Sequence, residues 1–127
     1  MKKTLTYAEW MVMSVLWGQK PLSLSEVIKA MGDKMDWSYK TYSTYLRTLC
    51  EKGVVGFEAR GRDKYYYAIT DREQCIRAES RSLIEKVSKK GVKEMVICMI
   101  EEGGLSPEDH AELQQMLANL AKESDKS

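Results

Sequence analysis

The spacing of apolar residues changes twice along the chain, and that change sets the fold class. From Thr6 to Lys52 they recur at helical intervals, from Val54 to Ile69 they follow the two-residue period of strands, and beyond Asp71 the helical period returns. Thr6-Tyr7-Ala8-Glu9 opens the first helix as a capping box, in which Thr6 and Glu9 satisfy each other's orphan backbone donors. Gly18 ends it, and a loop with Pro21 follows. Ser23-Leu24-Ser25-Glu26 is a second capping box for a short helix closed at Gly32. Ser38 is the N-cap of a third helix that runs to about Lys52, with Gly53 just past its end.

The strand-period segment reads as a hairpin: Val54–Ala59, a turn over Arg60-Gly61-Arg62-Asp63, and a return strand Lys64–Ile69. Behind it, Ile76, Ser80, Leu83, Ile84 and Val87 share one helical stripe, and Gly91 is expected to break it. Val92, Met95, Val96, Met99 and Ile100 form a second stripe, ended by Gly103-Gly104. Ser106-Pro107-Glu108-Asp109 starts a last helix with Leu113, Met116, Leu117 and Leu120 on its apolar seam. The last few residues are polar and expected to fray.

The expected class is therefore mainly α with a small β-hairpin wing. Residues 1–70 read as a winged helix-turn-helix domain, and residues 71–127 as a helical region. The rear stripes need a partner that so short a chain cannot supply. Ile76, Leu83, Ile84, Val87, Met95, Met99, Leu113, Met116, Leu117 and Leu120 are thus expected to bury against a second copy, giving a homodimer.

Charge is divided along the chain. Residues 1–70 hold 11 Lys/Arg against 7 Asp/Glu, a net of +4, and residues 71–127 hold 9 against 12, a net of −3. A basic front half fits a polyanionic partner. No run of 18 apolar residues exists, so no membrane insertion is expected. Met1-Lys2-Lys3-Thr4 is basic, but no uninterrupted apolar stretch or small-residue cleavage site follows it, so a signal peptide is not expected. Cys50, Cys75 and Cys98 are odd in number and widely spaced, which fits reduced thiols in a cytoplasmic protein.

The third helix carries the chemistry. At 100° per residue from Lys40, residues Tyr42, Tyr45, Leu46 and Leu49 share one side, and Lys40, Ser43, Thr44 and Arg47 share the other. Arg and Lys pair with guanine edges, and Thr contacts a thymine methyl or donates a hydrogen bond. Lys40, Thr44 and Arg47 are therefore expected to read bases. Ser38 and Thr41, with Arg60, Arg62 and Lys64 of the hairpin, are expected to hold phosphates of a double-stranded operator. A solvated helix face has similar composition; the basic hairpin beside the helix favours DNA. Two alternatives stay open: a winged-helix module docking an acidic protein, and a thiol- or ligand-responsive regulator of the same fold.

These residues also carry a family resemblance. Trp37-Ser38-Tyr39-Lys40-Thr41, Thr44, Leu49 and Lys52-Gly53 resemble the recognition-helix signature W-S-x-K-T-x-x-T-x-x-x-R-L-x-x-K-G of the penicillinase-repressor (BlaI/MecI) family. Ala8-Glu9, Met13 and Leu16-Trp17 resemble its first helix, and Glu26-Val27-Ile28 its second. Gly61-Arg62 with Tyr65 and Tyr67 is similar to its wing, and Leu105-Ser106, Glu108 and Leu113 to its last helix. The chain departs from the pattern where Thr48 fills the Arg slot and Arg47 stands one residue earlier. It also has Tyr39 in place of the usual Pro.

The resemblance implies a dimeric repressor of β-lactam-resistance genes on a palindromic operator, with dimer contacts in the C-terminal helices. It further implies inactivation by a membrane-associated sensor-protease pathway, with cleavage in the penultimate helix at the position of Cys98-Met99, where the family has Asn-Phe. The related copper-responsive branch carries paired C-terminal cysteines, and no cysteine follows Cys98 here.

Other signals are weaker. His110 is a lone helix-surface histidine, and the cysteines lack metal-ligand spacing, so neither a metal nor a cofactor is expected. No phosphate loop, nucleophile elbow or catalytic carboxylate pair is present, so the chain is not expected to be an enzyme.

Overall fold

A computed structural model describes residues 4–125 of the chain. Met1–Lys3, most of the basic start noted above, and Lys126–Ser127 at the polar end lie outside the described residues. The described elements run α1 (Tyr7–Leu16), β1 (Leu22–Ser23), α2 (Leu24–Met31), α3 (Tyr39–Glu51), β2 (Val55–Arg60), β3 (Asp63–Ala68), α4 (Arg72–Glu102) and α5 (Pro107–Asp125). They fall into two compact units, the first ending at Leu83 and the second starting at Ile84.

In the first unit, both expected capping boxes form. Glu9 N donates to Thr6 Oγ1, and Thr6 N donates to Glu9 Oε1. Ser23 and Glu26 do the same for α2. The apolar sides of the three helices meet in one core: Val12, Met13 and Leu16 from α1, Val27 and Met31 from α2, and Tyr42, Leu46 and Leu49 from α3. Val54 and Val55 close that core at the foot of the hairpin. Removing this much apolar surface from water is what orients the helices.

The hairpin is tighter than expected. Strands β2 and β3 pair antiparallel out to Arg60↔Asp63, leaving Gly61-Arg62 as a two-residue turn. Gly61 has φ +64°, and among described non-glycine residues only Ser88 has positive φ, which is the pattern of a type II′ hairpin turn. A third strand, β1, pairs with β3 through Leu22↔Tyr66 and Ser23↔Tyr65. The sequence pattern places Leu22 in a loop, because a two-residue strand has no period of its own.

The first turns of α4 belong to the first unit. Cys75 is buried, Glu79 accepts a 2.9 Å hydrogen bond from Leu5 N, and Trp17 Nε1 donates to Thr70 O. The compact unit therefore extends past residue 70 to Leu83.

In the second unit, the break expected at Gly91 lies instead at Ser88, which has φ 64° and ψ 168° inside α4. Gly91 is helical, and its lack of a side chain matters for space: a Cβ there would sit 3.0 Å from Val87 Cβ. The Gly103-Gly104 break is as expected, with Gly104 at φ +67°. Ser106 caps α5, and Asp109 completes a reciprocal pair with it. No described helix is long and apolar enough to cross a membrane.

Candidate nucleic-acid interface

Burial of Tyr42, Leu46 and Leu49 fixes which side of α3 faces outward. Lys40, Thr44 and Arg47 are exposed on that side, while Ser43 and Thr41 are half-buried at its margins. Trp37 locks the start of the helix by stacking on Tyr45 at 4.7 Å and meeting Tyr42 edge-on at 5.0 Å. The far end is locked by Lys52, whose Nζ lies 2.6 Å from Glu9 Oε1. Glu9 is 2% exposed, so this ion pair ties α1 to α3 from inside. Burial pushes the Glu9 carboxyl upward, but the Lys52 ammonium and the Thr6 N–H outweigh it and hold it below its ordinary value of 4.5.

The exposed groups are held loosely. Arg47 Nε lies 4.0 Å from Glu51 Oε1, with both side chains about 70% exposed, an arrangement of little strength in water. Thr44 Oγ1 donates back to Lys40 O at 2.9 Å, which uses the hydroxyl hydrogen and leaves its lone pairs free to accept. Ser38 Oγ accepts from Thr41 N and lies 3.0 Å from Thr41 Oγ1, so these two residues form the helix cap between them. The first turns of α1, α2, α4 and α5 each hold an acidic residue, and that of α3 holds none. The positive end of the α3 dipole thus meets no acidic residue within its own first turn.

The hairpin tip presents Arg60, Arg62 and Lys64. Arg60 pairs with Glu58 at 3.1 Å and lies 4.4 Å over the Tyr65 ring, and Lys64 Nζ lies 4.6 Å from the Phe57 ring centre. These contacts support the side chains while keeping them exposed. Between α3 and the hairpin runs an open cleft of about 260 Å³, whose lining includes Ser23, Ser25, Tyr39, Ser43, Arg62 and Lys64. The structure thus brings Ser43 together with Arg62 and Lys64, and adds Tyr39 and Ser25, to which the sequence pattern assigns no DNA contact. The available signal was angular: Tyr39 precedes Ser43 by one helical turn on the hairpin side of α3.

Half-burial of Cys50 pushes its thiol up, away from the reactive thiolate range. Cys75 is buried and Cys98 exposed. No metal-binding cluster occurs among the described residues. The expected dimer residues also separate: Ile76, Ile84, Met99, Met116, Leu117 and Leu120 are exposed, while Leu83, Val87, Met95 and Leu113 are half-buried. Val96 and Ile97 are exposed as well, and Ile97 lay outside the expected stripes.

A three-helix core, a small antiparallel sheet and an outward polar helix beside a basic hairpin define a winged-helix protein of the DNA-binding repressor class. The chain belongs to the penicillinase repressor family, whose family model matches residues 5–119. It is 33% identical over 110 residues to the penicillinase repressor of Bacillus licheniformis, covering 87% of this chain and 86% of that one. It is 29% identical over 113 residues to the methicillin resistance regulatory protein MecI of Staphylococcus aureus (strain N315), covering 89% and 92%. The solution structure of the DNA-binding domain of the repressor BlaI superposes with a TM-score of 0.52 at 31% identity, covering 58% of this chain and 90% of that domain.

Proposed function

We propose that this chain represses transcription as a homodimer, each subunit placing α3 in a major groove of a palindromic operator, with β-lactam-resistance genes as its regulon. The observation that carries the reading is the α3 face. Its exposed side chains are Lys40, Thr44 and Arg47, its first turn lacks an acid, and a basic hairpin stands next to it. Lys40, Thr44 and Arg47 read base edges; Arg60, Arg62 and Lys64 hold phosphates, joined by Ser38, Thr41 and Ser43 at the helix margin. Residues 1–70 bind DNA and residues 71–127 pair the subunits, so that half-site spacing follows the distance between two copies of α3. The exposed apolar side chains of the second unit support pairing, since α5 buries none of its residues within the chain. Induction through a membrane-associated sensor-protease, with cleavage at Cys98-Met99, fits an exposed Cys98 and a family whose named members include a methicillin resistance regulator.

The test is a gel-shift titration of the DNA upstream of the chain's own gene against a scrambled duplex, at two salt concentrations. Selective, salt-sensitive binding of two chains per site is the expected result. Equal or absent binding to both duplexes would overturn the operator reading and favour an acidic protein partner for the same face.

A further inference from the structure

The aromatic side chains at the start of α3 divide sharply in their use. Trp37, Tyr42 and Tyr45 pack on one another. Tyr39, the first residue of α3, does not join them and is 65% exposed. An aromatic ring left this open gains little for the core. It lines the cleft, and one turn further along the same ridge stands Ser43. Across the cleft stand Arg62 of the hairpin turn and Lys64 of β3, with the Asp63 carboxylate between them in sequence, so two cations face one anion. Ser25, exposed in the first turn of α2, also lines the cleft.

The cleft lies between the helix face assigned to the groove and the hairpin assigned to phosphates. A strand bordering the groove that α3 enters must pass between those two elements, and the group it presents there is its phosphodiester. We propose that this cleft seats a backbone phosphate of the operator, with the Tyr39 hydroxyl donating from the α3 wall and the Ser25 hydroxyl from the α2 wall. Arg62 and Lys64 supply charge from the hairpin. The contact sets affinity and register without reading sequence. It rests on the DNA-binding reading above and adds two neutral donors to it.

The experiment titrates wild type, Tyr39→Phe, Ser25→Ala and Arg62→Ala against operator and scrambled duplexes across a salt series, with melting curves for each protein. Tyr39→Phe and Ser25→Ala each weaken binding to both duplexes by the same factor, about tenfold or more, as loss of a hydrogen bond to a charged acceptor does. Their salt slopes match wild type, because neither donor displaces a counterion, and their melting curves match because both sites are exposed. Arg62→Ala lowers the slope by about one. Wild-type affinity in both hydroxyl variants would overturn the proposal, and so would a loss confined to the operator, which marks a base contact. Failure of the wild type to bind either duplex is a separate result that removes the DNA reading itself.

Discussion

Arg47 stands where the sequence allows it the most freedom: mid-helix, about 70% exposed, and leaning on Glu51 at a distance too long for a firm pair. Its release to a base edge would therefore cost little. Arg47→Ala is expected to weaken operator binding by about 1–3 kcal/mol and to relax discrimination at one base position, read by titrating single-base operator variants. Unchanged affinity for operator and random DNA would move the reading face elsewhere. Lys52 stands at the opposite extreme. Its ammonium serves a carboxylate that is 2% exposed, and removing it strands that charge. Lys52→Met should cost about 1.5–3 kcal/mol in urea unfolding. The same pair predicts a pH dependence. Glu9 is held below its ordinary 4.5, so its contribution is full above that value and is lost as pH falls through the lower folded value. Unfolding midpoints should thus decline below about pH 4.5 in the wild type. In Lys52→Met the upward push of burial lacks its main counterweight, and that decline should shrink.

At the scale of elements, what is local in origin was legible in the chain. Thr6-Glu9 and Ser23-Glu26 capping, the inward side of α3, and the period change at Gly53 all depend on residues within a turn or two of each other. Features made by distant partners were not legible. Strand β1 exists only because Tyr65 and Tyr66 offer it backbone partners, and nothing near Glu9 announces Lys52. The cleft was equally hidden, since it joins α2, α3 and the hairpin. The misplaced helix break has a different cause. Gly91 was the natural breaker by propensity, yet the chain turns at Ser88 and uses Gly91 to make room for Val87. Ser88 at φ 64° occupies backbone space that a side chain rarely tolerates. Ser88→Gly is accordingly expected to raise stability by about 1 kcal/mol, measured by thermal unfolding. Gly91→Leu should destabilise, since its Cβ alone would crowd Val87 at 3.0 Å. A neutral or destabilising Ser88→Gly would mean that the serine hydroxyl makes good its backbone strain.

At the scale of the molecule, the two units face different demands. The first unit closes its own core around α1, α2 and α3, and its outer charge is basic. The second exposes Val96, Ile97, Met99, Met116, Leu117 and Leu120 at 43–60%, a set of large apolar side chains that water penalises. A second copy covering that surface would join two reading heads, and joining them changes affinity more than any single contact. Once one α3 is seated, the other is held near its half-site at high effective concentration, so linkage alone multiplies affinity by about 10²–10⁴. Leu117→Arg tests this because Leu117 is 58% exposed in the single chain, so the substitution disturbs no core of its own subunit. Sedimentation should show a shift from two chains to one, with the near-ultraviolet circular dichroism of Trp10, Trp17 and Trp37 in the first unit retained. Operator affinity should fall by roughly a hundredfold or more, while binding to a single half-site stays within about threefold of wild type. Loss of half-site binding together with the tryptophan signal would mean that the substitution unfolds the chain. A dimer persisting with full operator affinity would place the pairing surface away from α5.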